Sequence, residues 1–188
     1  MSEVRIESRL QEIQETLSAV DRPPTTTLGI LGESKQERYW QALLVYFLDD
    51  NNPHGLNTDV LEAFLNALAT HNGISLPQDR GKLEHVKVQS EVPTENGPFD
   101  ILLWCEDSWY VCIELKVDSG ETGSQTERYA QASELGDLVV DQHSGVGEYV
   151  YLAPSAAQPP KSDIFVDISW EYVVPYFEDV LKTDRGQY

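Results

Sequence analysis

The sequence predicts an α/β fold in which a mixed central sheet is flanked by helices, and three observations carry that prediction. Two strongly apolar runs, FDILLWC (99–105) and WYVCIELKV (109–117), have the β-branched and aromatic content of strands. Glu106, Asp107 and Ser108 between them supply turn chemistry, so the pair reads as a hairpin. Helical periodicity lies on both sides of this hairpin, and the resulting order (two helices, three strands, a helix, two strands, a helix) is that of a layered α/β domain.

Taken in order, residues 3–20 place Ile6, Leu10, Ile13, Leu17 and Val20 at alternating steps of four and three, the spacing of an amphipathic helix with one narrow apolar seam. That seam needs a partner: either its own domain or, as the alternative, a second copy in a homodimer formed through residues 3–20. Pro23, Pro24 and Gly29 break the periodicity, so 21–32 reads as a linker and 33–188 as the domain. Ser34 and Glu37 form a capping-box pattern, from which a helix is expected to run to about Leu48. In the DDNNPHG turn (49–55), His54 reads as a loop residue fixing backbone hydrogen bonds rather than as a metal ligand. A second helix is expected over about Thr58–Thr70, with Val60, Leu61, Phe64, Leu65 and Leu68 on its core face.

HVKVQSEV (85–92) alternates as a strand with His85, Lys87, Gln89 and Glu91 on its polar face. Glu91 is there either a solvated side chain or an auxiliary metal contact, because the strand leads directly towards Asp100. Beyond the hairpin, Gln125, Tyr129 and Ala132 recur at helical spacing. EYVYLAP (148–154) and DIFVDIS (163–169) read as two more strands, and WEYVVPYFEDVL opens a terminal helix that Pro175 is expected to delay or kink. The chain stops at Gly186-Gln187-Tyr188 without a defined end, which is compatible with a fragment of a longer protein.

The net charge is −19, from 32 acidic against 13 basic residues, and it excludes nucleic-acid binding through a general basic footprint. Two explanations fit: a halophilic cytoplasm, where acidic surfaces keep proteins soluble, or an acidic decoy that imitates nucleic acid. The acidic excess is spread along the chain rather than collected in blocks, which favours the first and a cytoplasmic location. No apolar run approaches the ~18 residues of a membrane span, so no membrane partner is expected. Cys105 and Cys112 fall on opposite faces of the predicted hairpin and cannot form a disulfide.

Three charges interrupt the apolar hairpin. A turn centred on Asp107 pairs Leu102 with Cys112 and sets Asp100 opposite Glu114, with Lys116 two residues further on the same face. Opposed carboxylates on a sheet, with Cβ atoms about 5 Å apart, destabilise it unless a cation lies between them. The tripeptide Glu-x-Lys carries little weight alone, since about half an occurrence is expected by chance, and a second copy stands at Glu33-Ser34-Lys35. The bland alternative for Glu114 and Lys116 is an edge-strand ion pair.

Asp100, followed by Glu114-Leu115-Lys116 and then by a helix carrying Gln125 and Tyr129, resembles the PD-(D/E)xK nuclease superfamily and the Gln-x-x-x-Tyr element of its RecB-like branch. The stretch ERYWQALLVYFLDDNNPHGL (37–56) is similar to an uncharacterised group of the superfamily with a helical Glu and a Pro-His-Gly turn. The literal Pro-Asp pair is absent, because Phe99 separates Pro98 from Asp100. The resemblance implies a restriction-endonuclease-like core of αβββαβ type and a Mg²⁺- or Mn²⁺-dependent hydrolase of phosphodiesters in nucleic acid, DNA ahead of RNA. It implies Asp100, Glu114 and Lys116 as catalytic residues, with metal held by Asp100, Glu114 and the Leu115 carbonyl. It also brings Glu37 towards the metal site, and Gln125 and Tyr129 to its flank. A binding module, either a catalytically lapsed nuclease scaffold or an acidic interaction protein, is the competing class.

Overall fold

A computed structural model describes residues 26–77, 83–106, 108–118 and 120–184. The expected helix at 3–20, Asp107 at the hairpin turn and the last four residues lie outside the described residues. The chain parts into two units, residues 1–34 and 35–188. In the first, the stretch expected to be a linker contains a one-turn helix, α1 (Thr27–Ile30), whose Gly29 amide donates to the Thr26 hydroxyl at 3.1 Å.

In the second unit, helices α2 (Glu37–Leu48) and α3 (Asp59–Thr70) precede strands β1 (Lys87–Val92), β2 (Phe99–Cys105) and β3 (Trp109–Leu115). A short helix α4 (Gln125–Tyr129) and a two-stranded ribbon, β4 (Glu134–Leu135) with β5 (Leu138–Val139), follow. Strands β6 (Val146–Ala153) and β7 (Phe165–Ser169) then lead into α5 (Trp170–Asp184). The main sheet has the order β1-β2-β3-β6-β7, antiparallel through β3 and parallel from β3 to β7. This is the mixed α/β sheet that the sequence predicts.

β3 is central and all seven of its residues are buried, as a strand covered on both faces must be. Ile101, Leu103, Val111, Ile113 and Leu115 face α2, α3 and α5, while Leu102, Tyr110 and Cys112 face Tyr129, Leu135 and Leu138. The period of two thus sends Cys105 into the first layer and Cys112 into the second, and neither is in a disulfide. In the 49–55 turn His54 does fix backbone: its Nδ1 accepts from the Leu56 amide at 3.1 Å and Nε2 lies 3.2 Å from the Asp49 carbonyl.

Four local expectations are corrected. The capping box does not form: α2 begins at Glu37, its N-cap is Gln36 with no side-chain cap bond, and the Glu37 carboxylate is drawn instead to Lys116. The strand read from 85 begins at Lys87, with His85 in a 3₁₀ turn. β3 ends at Leu115, and beyond it the Lys116 amide still donates to the Leu152 carbonyl of β6 at 2.8 Å. Pro175 does not delay α5, which runs through it. The proline forfeits one helical hydrogen bond, but buried Val173 and the Trp170 indole, which donates to the Lys116 carbonyl at 2.7 Å, hold the first turn from outside. Among the described residues, no helix is long and apolar enough to cross a membrane.

Candidate active site

The open end of the β2–β3 hairpin carries the charges. Ile101 pairs with Ile113, so Asp100 and Glu114 occupy the next opposed positions, where the ladder gives way to side-chain bonding. The Asp100 Oδ2 accepts from the Leu115 amide at 2.7 Å, taking a donor that a further strand pair would have used. Glu114 is 1% exposed and Lys116 4%. The Lys116 ammonium donates to Glu114 Oε1 at 2.6 Å, to the Leu115 carbonyl at 3.1 Å and to Glu37 Oε2 at 3.4 Å. Glu37 thus bridges from the first turn of α2 to a site 79 residues away.

The electrostatics follow from burial. Desolvation lifts the Asp100 carboxyl to about 6 against the pull of the Leu115 amide and Lys116, with Glu37 and Glu91 adding repulsion. Desolvation first, and the Asp100 charge second, lift Glu114 to about 7 in spite of Lys116. For Lys116 burial disfavours the charge, but Glu114, Asp100 and Glu37 outweigh it and hold the ammonium above its ordinary value. The lysine proton is therefore held firmly, while the second carboxylate charge is what the site cannot carry unaided.

Glu114 Oε2 is buried with no hydrogen-bond partner. An orphan carboxylate oxygen in a dry site is costly, and beside Asp100 and the Leu115 carbonyl it makes an all-oxygen donor set of the kind a hard divalent cation takes. Three His, Cys, Asp or Glu side chains converging as a preformed cage do not occur among the described residues. The donors that fit a cation are thus two carboxylates and a backbone carbonyl.

The remaining candidates fall at different distances from this centre. The Tyr129 hydroxyl donates to the Pro98 carbonyl at 2.8 Å and its ring lies 4.8 Å from that of Phe99, so it braces the backbone that delivers Asp100. Gln125 turns to its own loop, its Oε1 accepting from the Thr122 amide at 3.3 Å. Glu91 is exposed on edge strand β1, with an unusual backbone φ of 51° opposite Asp100, and touches the site only through its charge. Lys35, of the second Glu-x-Lys copy, pairs with Asp118 on the surface at 2.8 Å.

Sequence reasoning missed two residues. Gln41, 6% exposed, donates from Nε2 to the Asp100 carbonyl at 2.7 Å. Its signal was present: Gln41 follows Glu37 by four, so both project from one face of α2. Tyr151 is fully buried beside Glu114 in the parallel register, its hydroxyl lacks a partner, and burial pushes that hydroxyl up to about 12. Nothing in YVYLA marks it, because a strand tyrosine reads as core.

Searches of curated proteins and of solved structures returned no match. The sequence profile of the PD-(D/E)XK nuclease superfamily matches residues 26–184, a span that contains α2, the hairpin with Asp100, Glu114 and Lys116, and every strand of the sheet. The chain therefore belongs to the PD-(D/E)XK nuclease superfamily.

Proposed function

We propose that the protein is a metal-dependent nuclease that hydrolyses phosphodiester bonds with Asp100, Glu114 and Lys116. The observation that carries this reading is the buried, unpartnered Glu114 Oε2 beside Asp100. Asp100, Glu114 and the Leu115 carbonyl would hold Mg²⁺ or Mn²⁺, which would supply Lewis-acid polarisation of the phosphate and a more acidic bound water. Lys116 keeps its proton, and its ammonium is the group available to orient the attacking water and to stabilise negative charge developing on the phosphate. Glu37 tethers that ammonium from the far side. Gln41 and Tyr129 bond to the carbonyls of Asp100 and Pro98 and so fix the strand end on which Asp100 is presented.

Charge supports the requirement for a cation. With both carboxylates ionised, Asp100, Glu114 and Lys116 sum to −1, and Glu37 makes the cluster −2, which repels phosphate. A divalent ion would bring the cluster to neutrality. The acidic composition supports a protein working in the cytoplasm at molar salt, where a Debye length of ~3 Å removes most long-range repulsion from a polyanion.

Titration of the whole chain with Mn²⁺ by calorimetry, beside Asp100→Asn and Glu114→Gln, tests the reading. Binding is expected in the parent and in neither variant, while both variants melt at or above the parent's temperature because one of two repelling charges is gone. Cleavage of double-stranded DNA, single-stranded DNA and RNA is measured across a KCl series, with turnover expected only towards molar salt. Undiminished Mn²⁺ binding in both variants removes the metal site. A firm fold at molar salt with no substrate cut by either metal hands the protein to the binding-module class.

A further inference from the structure

In a chain of net charge −19 the cations are few, and nearly all those described are engaged. Lys35, Lys116 and Lys182 pair with carboxylates. Arg38 lies 4.7 Å over the Tyr39 ring and Lys87 5.3 Å over that of Trp104. Among the described residues only Arg128 and Lys161 have neither an ion pair within 4 Å nor a ring contact, and both line one open pocket of about 530 Å³ with Ser124 and Ser162. Glu127 also borders it, without pairing to either cation.

The pocket is built rather than incidental. Buried Thr126 accepts from the Lys161 and Ser162 amides at 3.2 and 3.1 Å and donates to Glu121 at 2.5 Å, stapling the 161–162 turn to α4. Lys161 Nζ also donates to the Gly123 carbonyl, which leaves two of its three protons free. Asn96 donates to the Arg128 carbonyl at 2.9 Å, anchoring the other end of α4 to the β1–β2 turn. The same helix turns Tyr129 inward to the strand end that presents Asp100. Two cations without an ion pair among the described residues, with hydroxyls alongside, set charged donors against the one Glu127 carboxylate, and a guanidinium fork matches phosphate oxygens.

We propose that the pocket of Ser124, Arg128, Lys161 and Ser162 binds a phosphate of the nucleic-acid backbone other than the scissile one. The source of that phosphate rests on the nuclease reading; the anion site itself does not. In a molecule that repels polyanions nearly everywhere else, this contact registers the strand against the carboxylates.

The test uses the whole chain and Arg128→Gln/Lys161→Gln, both positions being exposed. Binding of a fluorescent 12-mer in Ca²⁺ is followed by anisotropy over a KCl series, and inorganic phosphate is titrated against the Ser124, Arg128 and Ser162 amide resonances. The double variant should melt and bind Mn²⁺ as the parent does. It should bind the 12-mer about tenfold more weakly, with a log–log salt slope shallower by about one. Equal 12-mer affinity and slope in parent and variant overturn the proposal, as does failure of the parent to bind either probe. Amide shifts with phosphate but no binding of the 12-mer would make this a free-phosphate site and overturn the backbone assignment. If the 12-mer binds through Arg128 and Lys161 yet is not cut with Mg²⁺ or Mn²⁺, the phosphate site stands and the nuclease reading falls.

Discussion

Glu91 and Glu114 are the same residue type, each on a strand within reach of Asp100, yet the fold gives them opposite fates. Glu91 sits on the edge strand, exposed, where water already stabilises its charge. Glu114 sits on the central strand with one oxygen on Lys116 and the other on nothing. The difference teaches that position in the sheet, rather than proximity to another carboxylate, sets how strongly a group demands a counter-ion.

The largest break in that comparison is Lys116→Ala. Cleavage should fall by about 10³-fold, in line with the loss of a transition-state donor, while Mn²⁺ affinity holds or improves because no ammonium competes for Glu114. Single-turnover assays beside calorimetry separate the two, and parallel losses of both would make Lys116 a structural strut. A second test is titration of stability. Because the folded protein raises Glu114 to about 7 from an ordinary 4.5, the native state binds its proton more tightly than the unfolded chain. Metal-free stability from this group is therefore fully present below about pH 4.5 and lost as pH rises to about 7. Glu114→Gln should accordingly exceed the parent by about 1–3 kcal/mol at pH 8, and by little at pH 4.5, in urea unfolding at fixed high salt. A gap independent of pH would mean that Glu114 stays ionised.

Smaller effects sharpen the picture. Tyr129→Phe removes the bond to Pro98 and should cost about 1 kcal/mol and a few-fold in kcat, through a less firmly placed Asp100. The smallest change is expected for Glu91→Gln, within ~0.5 kcal/mol in stability and with Mn²⁺ affinity unaltered. Loss of metal binding there would show that the edge strand completes the site.

The hairpin was legible because burial on both faces demands long apolar runs, and the alternation of faces then fixed which charges meet. Glu37 was legible only by resemblance: its local pattern spelled a cap, and the attraction of a buried ammonium won. Gln41 escaped because a polar residue on a helix face is usually solvated, and only the carbonyl of Asp100 explains its burial. The ribbon at 134–139 is short and turns through Gly136, whose φ of 62° suits a tight reversal that four strand residues cannot announce by periodicity. Tyr151 and the Arg128–Lys161 pocket depend on neighbours far away in sequence.

The parallel pairing of β3 with β6 has a consequence for how the molecule assembles in time. β2 and β3 close over three residues, so the opposed carboxylates meet early and at small loop-closure cost. β6 can join β3 only after Val146 has returned beside Trp109, and Glu37 reaches Lys116 across 79 residues. Such distant closures slow folding. The nascent hairpin thus presents two carboxylates before the lysine tether and the sheet centre exist to bury them, and each is still hydrated when they first meet. Their repulsion grows as the chain completes itself, so it opposes the last folding steps rather than the first. A divalent ion present during refolding is expected to accelerate those late steps and leave hairpin formation untouched.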